Sequence, residues 1–313
     1  MPKEQPDALI KLTKYLHTLK EMRGARISLI KSGYQRDIYL LKVGKKKYVA
    51  RVGKPHNLKD LSIEKEVCML KFLENTGITF TPKVLHHHKG LDISIEEFVG
   101  THGVDFKDFT TDDIDLIAKQ LVVIHQLSVK AFRAFCKKEN FPFPKTLSEK
   151  ASIDIFGTKR FAQAMKTCPD KKVLAWIAPR LKVNITEASR KHPKGSEHLV
   201  WGDVGNNTRS TKNQIFFIDW EFARIEHSPE LAYIKIHSHP RAPLFRALVK
   251  AYAKYSNISE QILYEKIARE EKIIRVNDVI WAAMKWGESV GTAEEKKYQL
   301  LTYKRMKLFE KIK

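Results

Sequence analysis

An α+β architecture is predicted for this chain of 313 residues, with a small antiparallel sheet near the N-terminus and a larger, mainly helical remainder. Three observations carry that expectation. From Ala25 to Val52 apolar and polar residues alternate in short runs, broken by Gly33 and by Gly44-Lys45-Lys46-Lys47, the pattern of consecutive antiparallel strands. Beyond Gly100 the periodicity becomes helical. Inside that helical region, His198 to Trp201 and Gln214 to Asp219 are short apolar runs that read as strands.

Taken in order, Pro6 to Arg23 is expected to form a helix ahead of the strands. Between Leu58 and Asn75 the residues Leu61, Val67, Leu70 and Leu73 recur at helical spacing, and the pattern ends near Gly77. Pro82 to Leu85 and Ile93 to Val99 read as two further strands, completing a five-stranded sheet, with Gly100 closing the last. His86-His87-His88 is read as a turn. Adjacent strand residues point to opposite faces, so three consecutive imidazoles cannot converge on one metal ion. From Asp112 to Leu127 the residues Ile114, Ile117, Leu121 and Ile124 share one helical face. A Phe-Pro-Phe-Pro loop, Phe141 to Pro144, follows, then helices through Arg190 and again from Leu231 to the end. Two domains are expected, residues 1–100 and residues 101–313.

Apolar residues make up 43% of the chain and are spread along its length, which excludes a disordered protein. Cys68, Cys136 and Cys168 follow no metal-ligand or disulfide-framework spacing, which points to a reducing compartment. Met1 to Lys14 lacks the apolar core of a signal peptide, and no run approaches the roughly 20 apolar residues that span a bilayer. A cytoplasmic protein with no membrane span is expected. The formal charge of +21 suggests an anionic partner and competes with the simpler reading of a lysine-rich solvated surface.

Chemistry concentrates in Leu199-Val-Trp-Gly-Asp203-Val-Gly-Asn206-Asn207 and Ile215-Phe-Phe-Ile-Asp219-Trp-Glu221. Each apolar strand delivers an aspartate at or near its end, and a loop rich in Gly and Asn lies between. Phosphoryl transfer from a nucleoside triphosphate needs a carboxylate to orient and deprotonate the attacking hydroxyl, and hard oxygen ligands for Mg²⁺. A carboxylate at the end of a buried strand is costly unless it meets a metal or hydrogen-bond donors, so Asp203 and Asp219 are read as functional.

These residues resemble the catalytic and metal-binding loops of the aminoglycoside phosphotransferase and choline kinase-like family, which has the bilobal protein-kinase-like fold. The resemblance implies Asp203 as catalytic base, Asn207 or Asn206 as one metal ligand and Asp219 as the other. Other segments resemble the family in the same order. Ser32-Gly33-Tyr34-Gln35 is similar to the turn over the nucleotide phosphates, and Tyr48 to Val52, with Arg51, to the strand bearing the phosphate-contacting base. The helix with Glu66 is similar to the one carrying the ion-pair glutamate, with Glu64 as a rival for that role. Glu96-Glu97-Phe98-Val99-Gly100 resembles the hinge strand that meets adenine, Leu121 to His125 the helix packed behind the catalytic loop, and Ser228-Pro-Glu230-Leu-Ala a following structural element.

Four positions depart from the family pattern, one of them Glu230, which replaces an Asp in a mainly structural place. Trp201 stands where the family has His and can donate only one hydrogen bond, so the loop must be braced differently. Asn207 follows Asp203 by four residues where the family has five, which leaves Asn206 and Asn207 as alternatives. Arg51 replaces a lysine, and a guanidinium can clamp phosphate bidentately. The implied activity is a Mg²⁺-dependent phosphotransferase that uses ATP or GTP and a small-molecule hydroxyl acceptor. The basic run Lys159, Arg160, Lys166, Lys171, Lys172, Arg180, Lys182, Arg190, Lys191 and Lys194 favours a neutral or anionic acceptor over a cationic aminoglycoside or choline. The rival reading is a catalytically weak scaffold that binds nucleotide, or nucleic acid through its basic surface.

Overall fold

The computed structural model describes residues 7–33, 36–54, 63–100, 103, 106–141, 154–188, 197–202, 207–211, 214–227, 230–238 and 241–312. They belong to two compact units. The first comprises Met1–Phe109, Lys130–Phe143 and Trp201–Ala223, and the second Thr110–Val129, Pro144–Val200 and Arg224–Lys313.

In the first unit α1 (Asp7–Thr18) precedes β1 (Arg26–Ser32), β2 (Arg36–Val43), β3 (Lys46–Gly53), α2 (Ile63–Asn75), β4 (Val84–His88) and β5 (Ile93–Glu97). The five strands form one antiparallel sheet in the order β1-β2-β3-β5-β4. The expected five-stranded sheet is present, with one difference: His86, His87 and His88 lie within β4, paired with Ile95, Ser94 and Ile93, and do not form a turn. Pairing with β5 holds this edge segment extended, and the alternation of strand side chains points adjacent rings to opposite faces.

That alternation divides the sheet between core and site. Tyr39 and Leu41 of β2, Ala50 and Val52 of β3, and Ile93 and Ile95 of β5 bury one face against Leu12, Tyr15 and Leu16 of α1. The intervening residues Arg36, Ile38, Leu40, Val49, Arg51, Ser94 and Glu96 therefore share the other face. The pairings Ile38↔Arg51, Arg51↔Ser94 and Val49↔Glu96 set them side by side. On α2 the buried Ile63, Val67, Leu70 and Leu73 accompany a fully buried Glu66. Next to α2 packs α4 (Val129–Lys138), through Phe132 against Phe72, with ring centroids 4.9 Å apart. The thiols of Cys68 and Cys136, distant in sequence, approach to 3.4 Å.

In the second unit α3 (Thr111–His125) starts with a capping box, in which the Thr110 hydroxyl accepts from Asp113 N–H and the Asp113 carboxylate accepts from Thr110 N–H. Helices α5 (Arg160–Thr167) and α6 (Lys171–Ala188) contribute Ala164, Val173, Ile177 and Leu181 to a core. After α7 (Leu231–His237) and α8 (Ala242–Ser256), the 30-residue α9 (Glu260–Ser289) adds Val276, Val279, Ile280, Ala283 and Trp286 to it. The last helix, α10 (Glu295–Glu310), packs Met306 and Phe309 against the same core.

Both apolar runs expected as strands are strands, β6 (His198–Val200) and β8 (Gln214–Phe217), and each pairs with a short strand that the sequence reading did not anticipate. β6 pairs with β9 (Arg224–Glu226), and β8 with β7 (Thr208–Thr211). Strands of three or four residues, with sequences Arg-Ile-Glu and Thr-Arg-Ser-Thr, carry too little alternation to declare themselves. At the α5–α9 contact, a Cβ on Gly287 would lie 2.2 Å from Thr167 Oγ1 and 2.5 Å from its backbone carbon. Gly287→Ala is therefore expected to destabilise the protein by about 1–3 kcal/mol, read as a lower urea midpoint with an unchanged m-value.

Candidate active site

The β7–β8 hairpin builds the centre of the site. Its register pairs Thr208 with Phe217, and one step further the Ile218 N–H donates to the Asn207 carbonyl at 2.9 Å. Asn207 and Asp219 are thereby brought to one end of the hairpin, and both line a cavity of about 310 Å³. Phe217 N–H donates to the Phe80 carbonyl at 2.9 Å and Gln214 Nε2 to that of Thr79 at 2.9 Å, which fixes the hairpin to the chain after α2.

Trp201 supplies the brace that its departure from the family pattern called for. Its indole N–H is shared between the Ile218 carbonyl at 2.9 Å and the Asp219 carbonyl at 3.3 Å, and its ring stacks on Phe217 at 4.4 Å with planes 7° apart. Gly202 follows with φ +85°, a conformation that glycine adopts without steric cost. Asp219 itself has φ +62°, a left-handed backbone that costs an ordinary residue energy and gathers at functional sites.

Around Asp219 lies a buried ionic cluster. Arg36, at the start of β2, forms ion pairs with Glu66 and Glu221 and stands 3.9 Å from Asp219 Oδ1. Arg51 donates from Nε to Glu96 at 3.1 Å and reaches Glu66 at 3.6 Å and Asp219 Oδ1 at 3.5 Å. Glu66 also accepts the Trp220 N–H at 3.0 Å, and Glu96 the Ser94 hydroxyl at 2.7 Å. Four carboxylates thus surround two guanidiniums, all within a region almost closed to solvent.

The environment separates their titration. Burial alone would raise Glu66, but Arg51, Arg36 and the Trp220 N–H outweigh it and hold its pKa below the ordinary value. Burial dominates at Glu96, with the Glu66 charge adding to it, and its pKa is raised despite Arg51 and Ser94. Burial opposes the charge on Arg36 and Arg51 also, yet the surrounding carboxylates hold both pKa values above normal. At Arg209, on β7, burial and the neighbouring Arg51 charge lower the pKa.

Two atoms in the cluster are left without a hydrogen bond. Asp219 Oδ1 and Arg51 Nη1 are buried, both residues line the cavity, and the two atoms face each other at 3.5 Å, too far for a hydrogen bond. An orphan acceptor and an orphan donor that share a cavity are what a cation and an anion bound together would satisfy.

Of the expected site residues, Arg51, Glu97, Phe98, Val99, Asn207 and Asp219 line this cavity. Glu66 lies behind it in the cluster, whereas Glu64 pairs with Lys89 at 2.5 Å. Gly33 is not among the lining residues; it closes the β1–β2 turn by donating to the Arg36 carbonyl at 2.8 Å. Asp203, Asn206, Tyr34 and Gln35 lie outside the described residues. The sequence reading missed Arg36, Glu221 and the cluster role of Glu96. It also missed Lys54, which donates to Ser32 Oγ and the Gly33 carbonyl, each at 2.8 Å, and pairs with Asp37 at 2.8 Å. Only Arg36 had a readable signal, since it falls two residues before Ile38 on the strand face that also carries Arg51.

Removing the Glu66 charge leaves both guanidiniums under-compensated. Glu66→Gln is expected to cost about 3–5 kcal/mol at pH 7 in urea unfolding. Because the folded-state pKa of Glu66 is depressed, its contribution is complete above the unfolded carboxylate pKa and is lost as pH falls through the folded value. The difference between wild type and variant should therefore shrink below about pH 4.

The sequence matches the model of the phosphotransferase enzyme family over residues 26–227. No curated protein sequence matches the chain. Among solved structures, a choline kinase from Cryptosporidium parvum is similar with a TM-score of 0.70 and 15% identity, over 96% of this chain and 95% of that one. The choline kinase LicA from Streptococcus pneumoniae gives 0.66 and 16%, over 96% and 97%. The ternary complex of streptomycin, ATP and APH(2'')-IIa gives 0.64 and 15%, over 98% and 96%. At these identities the likeness to solved structures is one of fold, and it is the protein-kinase-like fold that the sequence led us to expect. The family match spans the sheet, the buried ionic cluster and the β7–β8 hairpin, and the chain belongs to the phosphotransferase enzyme family.

Proposed function

We propose that the protein transfers the γ-phosphoryl group of ATP or GTP to a hydroxyl of a small molecule, with Mg²⁺, at the cavity lined by Arg51, Asn207 and Asp219. The observation that carries this reading is the facing pair of orphan atoms, Asp219 Oδ1 and Arg51 Nη1. The donor set also fits magnesium, which is held by one or two carboxylates together with phosphate oxygens and water. ATP occurs in the APH(2'')-IIa complex, a structure of the same fold, which supports the choice of co-substrate.

In this reading Asp219 and Asn207 (or Asn206) would hold Mg²⁺, which would supply charge neutralisation at the phosphates. Arg51 Nη1 donates to a phosphate oxygen, and Glu66 holds the Arg51 and Arg36 side chains in place. Ile38, Leu40, Val49, Phe98 and Val99 give the base an apolar slot, and the backbone of Glu97 to Val99 offers its hydrogen bonds. Gly33, Tyr34 and Gln35 are assigned to phosphate binding on the family resemblance alone. Asp203 accepts the proton of the acceptor hydroxyl as that oxygen bonds to the γ-phosphorus, the bond to the bridging oxygen breaks, and the nucleoside diphosphate leaves. Residues 1–100 are assigned nucleotide binding, and residues 101–313 catalysis and acceptor binding.

The acceptor is a neutral or anionic metabolite. Lys159, Lys166, Lys171, Lys172 and Lys182 of the basic run are exposed, while Arg190, Lys191 and Lys194 lie outside the described residues. Two tryptophans of the same unit have guanidiniums over their rings, Arg180 at 4.0 Å from Trp176 and Arg305 at 4.9 Å from Trp281. These two aromatic faces are already occupied by the protein's own cations. The family and fold give the nucleic-acid reading no support. Among the described residues no helix is long and apolar enough to cross a membrane.

The reading is tested by incubating sugars, phosphorylated metabolites, amino alcohols and aminoglycosides with Mg-ATP or Mg-GTP and scoring nucleoside diphosphate release. Asp219→Asn and Asp203→Ala are each expected to lower acceptor-dependent release by on the order of 10³ with the fold intact by circular dichroism. Release at the wild-type rate from either variant would remove that residue from its assigned role.

A further inference from the structure

The wall that carries Asn207 continues into a cation that the mechanism above leaves unused. β7 begins at Thr208, one residue after Asn207, and strand side chains alternate in direction. Thr208 is fully buried, so Asn207 and Arg209 share the opposite direction, and both line the 310 Å³ cavity. The backbone of Arg209 bridges to Gly103, three residues beyond the cavity-lining Gly100. One guanidinium nitrogen donates to the Thr208 carbonyl at 2.7 Å, which orients the head group within the site.

A step of two residues along a strand is about 7 Å, comparable to the reach of an arginine side chain, so the Arg209 head group can approach whatever Asn207 and Asp219 hold. The apolar section of the lining suits a base and not a guanidinium. A phosphate chain suits the guanidinium, because the planar fork of five N–H donors matches phosphate oxygens bidentately. Arg51 already presents an unbonded Nη1 to the same space. We propose that Arg209 contacts the phosphate chain of the bound nucleotide, supplying from β7 a second guanidinium beside that of Arg51. The inference rests on the reading of the cavity as a nucleoside triphosphate site.

The test compares wild type, Arg209→Ala and Arg209→Lys in calorimetric titrations with AMP, ADP and a non-hydrolysable ATP analogue, all with magnesium. Arg209→Ala is expected to weaken the triphosphate analogue about tenfold or more, as for a lost charge-assisted hydrogen bond, and to leave AMP within about twofold. Arg209→Lys, which keeps the charge and loses the fork, should fall between and also confirm that the position tolerates substitution. Equal weakening of AMP and the triphosphate analogue, or no weakening of either, would overturn the proposal while wild-type binding stands. A wild type that binds none of the three would instead overturn the nucleotide reading itself.

Discussion

Two buried guanidiniums among four carboxylates set the conditions under which the first unit can fold. Charges withdrawn from water are costly, and each is tolerated only while its partners are in place. Arg36 comes from β2, Arg51 from β3, Glu96 from β5, Glu66 from α2, and Asp219 and Glu221 from the chain after β8. The unit cannot assemble some of this set without leaving a charge stranded. Correct sheet register, helix placement and hairpin placement are therefore enforced by one electrostatic condition. An apolar core of similar volume would be less costly, which is why so charged an interior is expected at a site of chemistry and not as a stability device.

The two-residue period of the sheet makes this arrangement possible. The same strands that turn Tyr39, Leu41, Ala50, Val52, Ile93 and Ile95 toward α1 turn Arg36, Ile38, Val49, Arg51 and Glu96 the other way. A slip of one residue in β3 would send Arg51 into the apolar core and Ala50 or Val52 into the ionic cluster. Core and site thus hold each other in register.

Much of this was legible in the sequence. The alternation in residues 25–52, the helical spacing around Val67 and Leu70, and the apolar runs ending near Trp201 and Asp219 were local signals, and the corresponding elements formed. Other features were not, for physical reasons. β7 and β9 are too short and polar to show a period. The histidines of β4 resemble turn residues in composition, and a neighbouring strand decides their conformation. At the site, the family resemblance pointed to Arg51, to Asn207 or Asn206, and to Asp219, and of these Arg51, Asn207 and Asp219 share the cavity. The partnership of Arg36 with Glu221, 185 residues away, left no local trace, because a charged residue reads as solvent-facing until the fold encloses it. The brace from Trp201 to the Asp219 backbone was foreseeable only as a need, since the sequence shows that a histidine is missing and not where the indole points.

The indole of Trp201 has a further use. Of the five tryptophans, Trp201 and Trp220 adjoin Asp219, whereas Trp176, Trp281 and Trp286 belong to the other unit. Trp201 hydrogen-bonds to the backbone carbonyl of Asp219, and Trp220 follows it directly in the chain. Both rings are fully shielded from water, so their emission depends on local packing and carbonyl dipoles and not on solvent. Any rearrangement of the aspartate's backbone reaches these two fluorophores directly, which gives the molecule a native optical reporter at its own centre of chemistry.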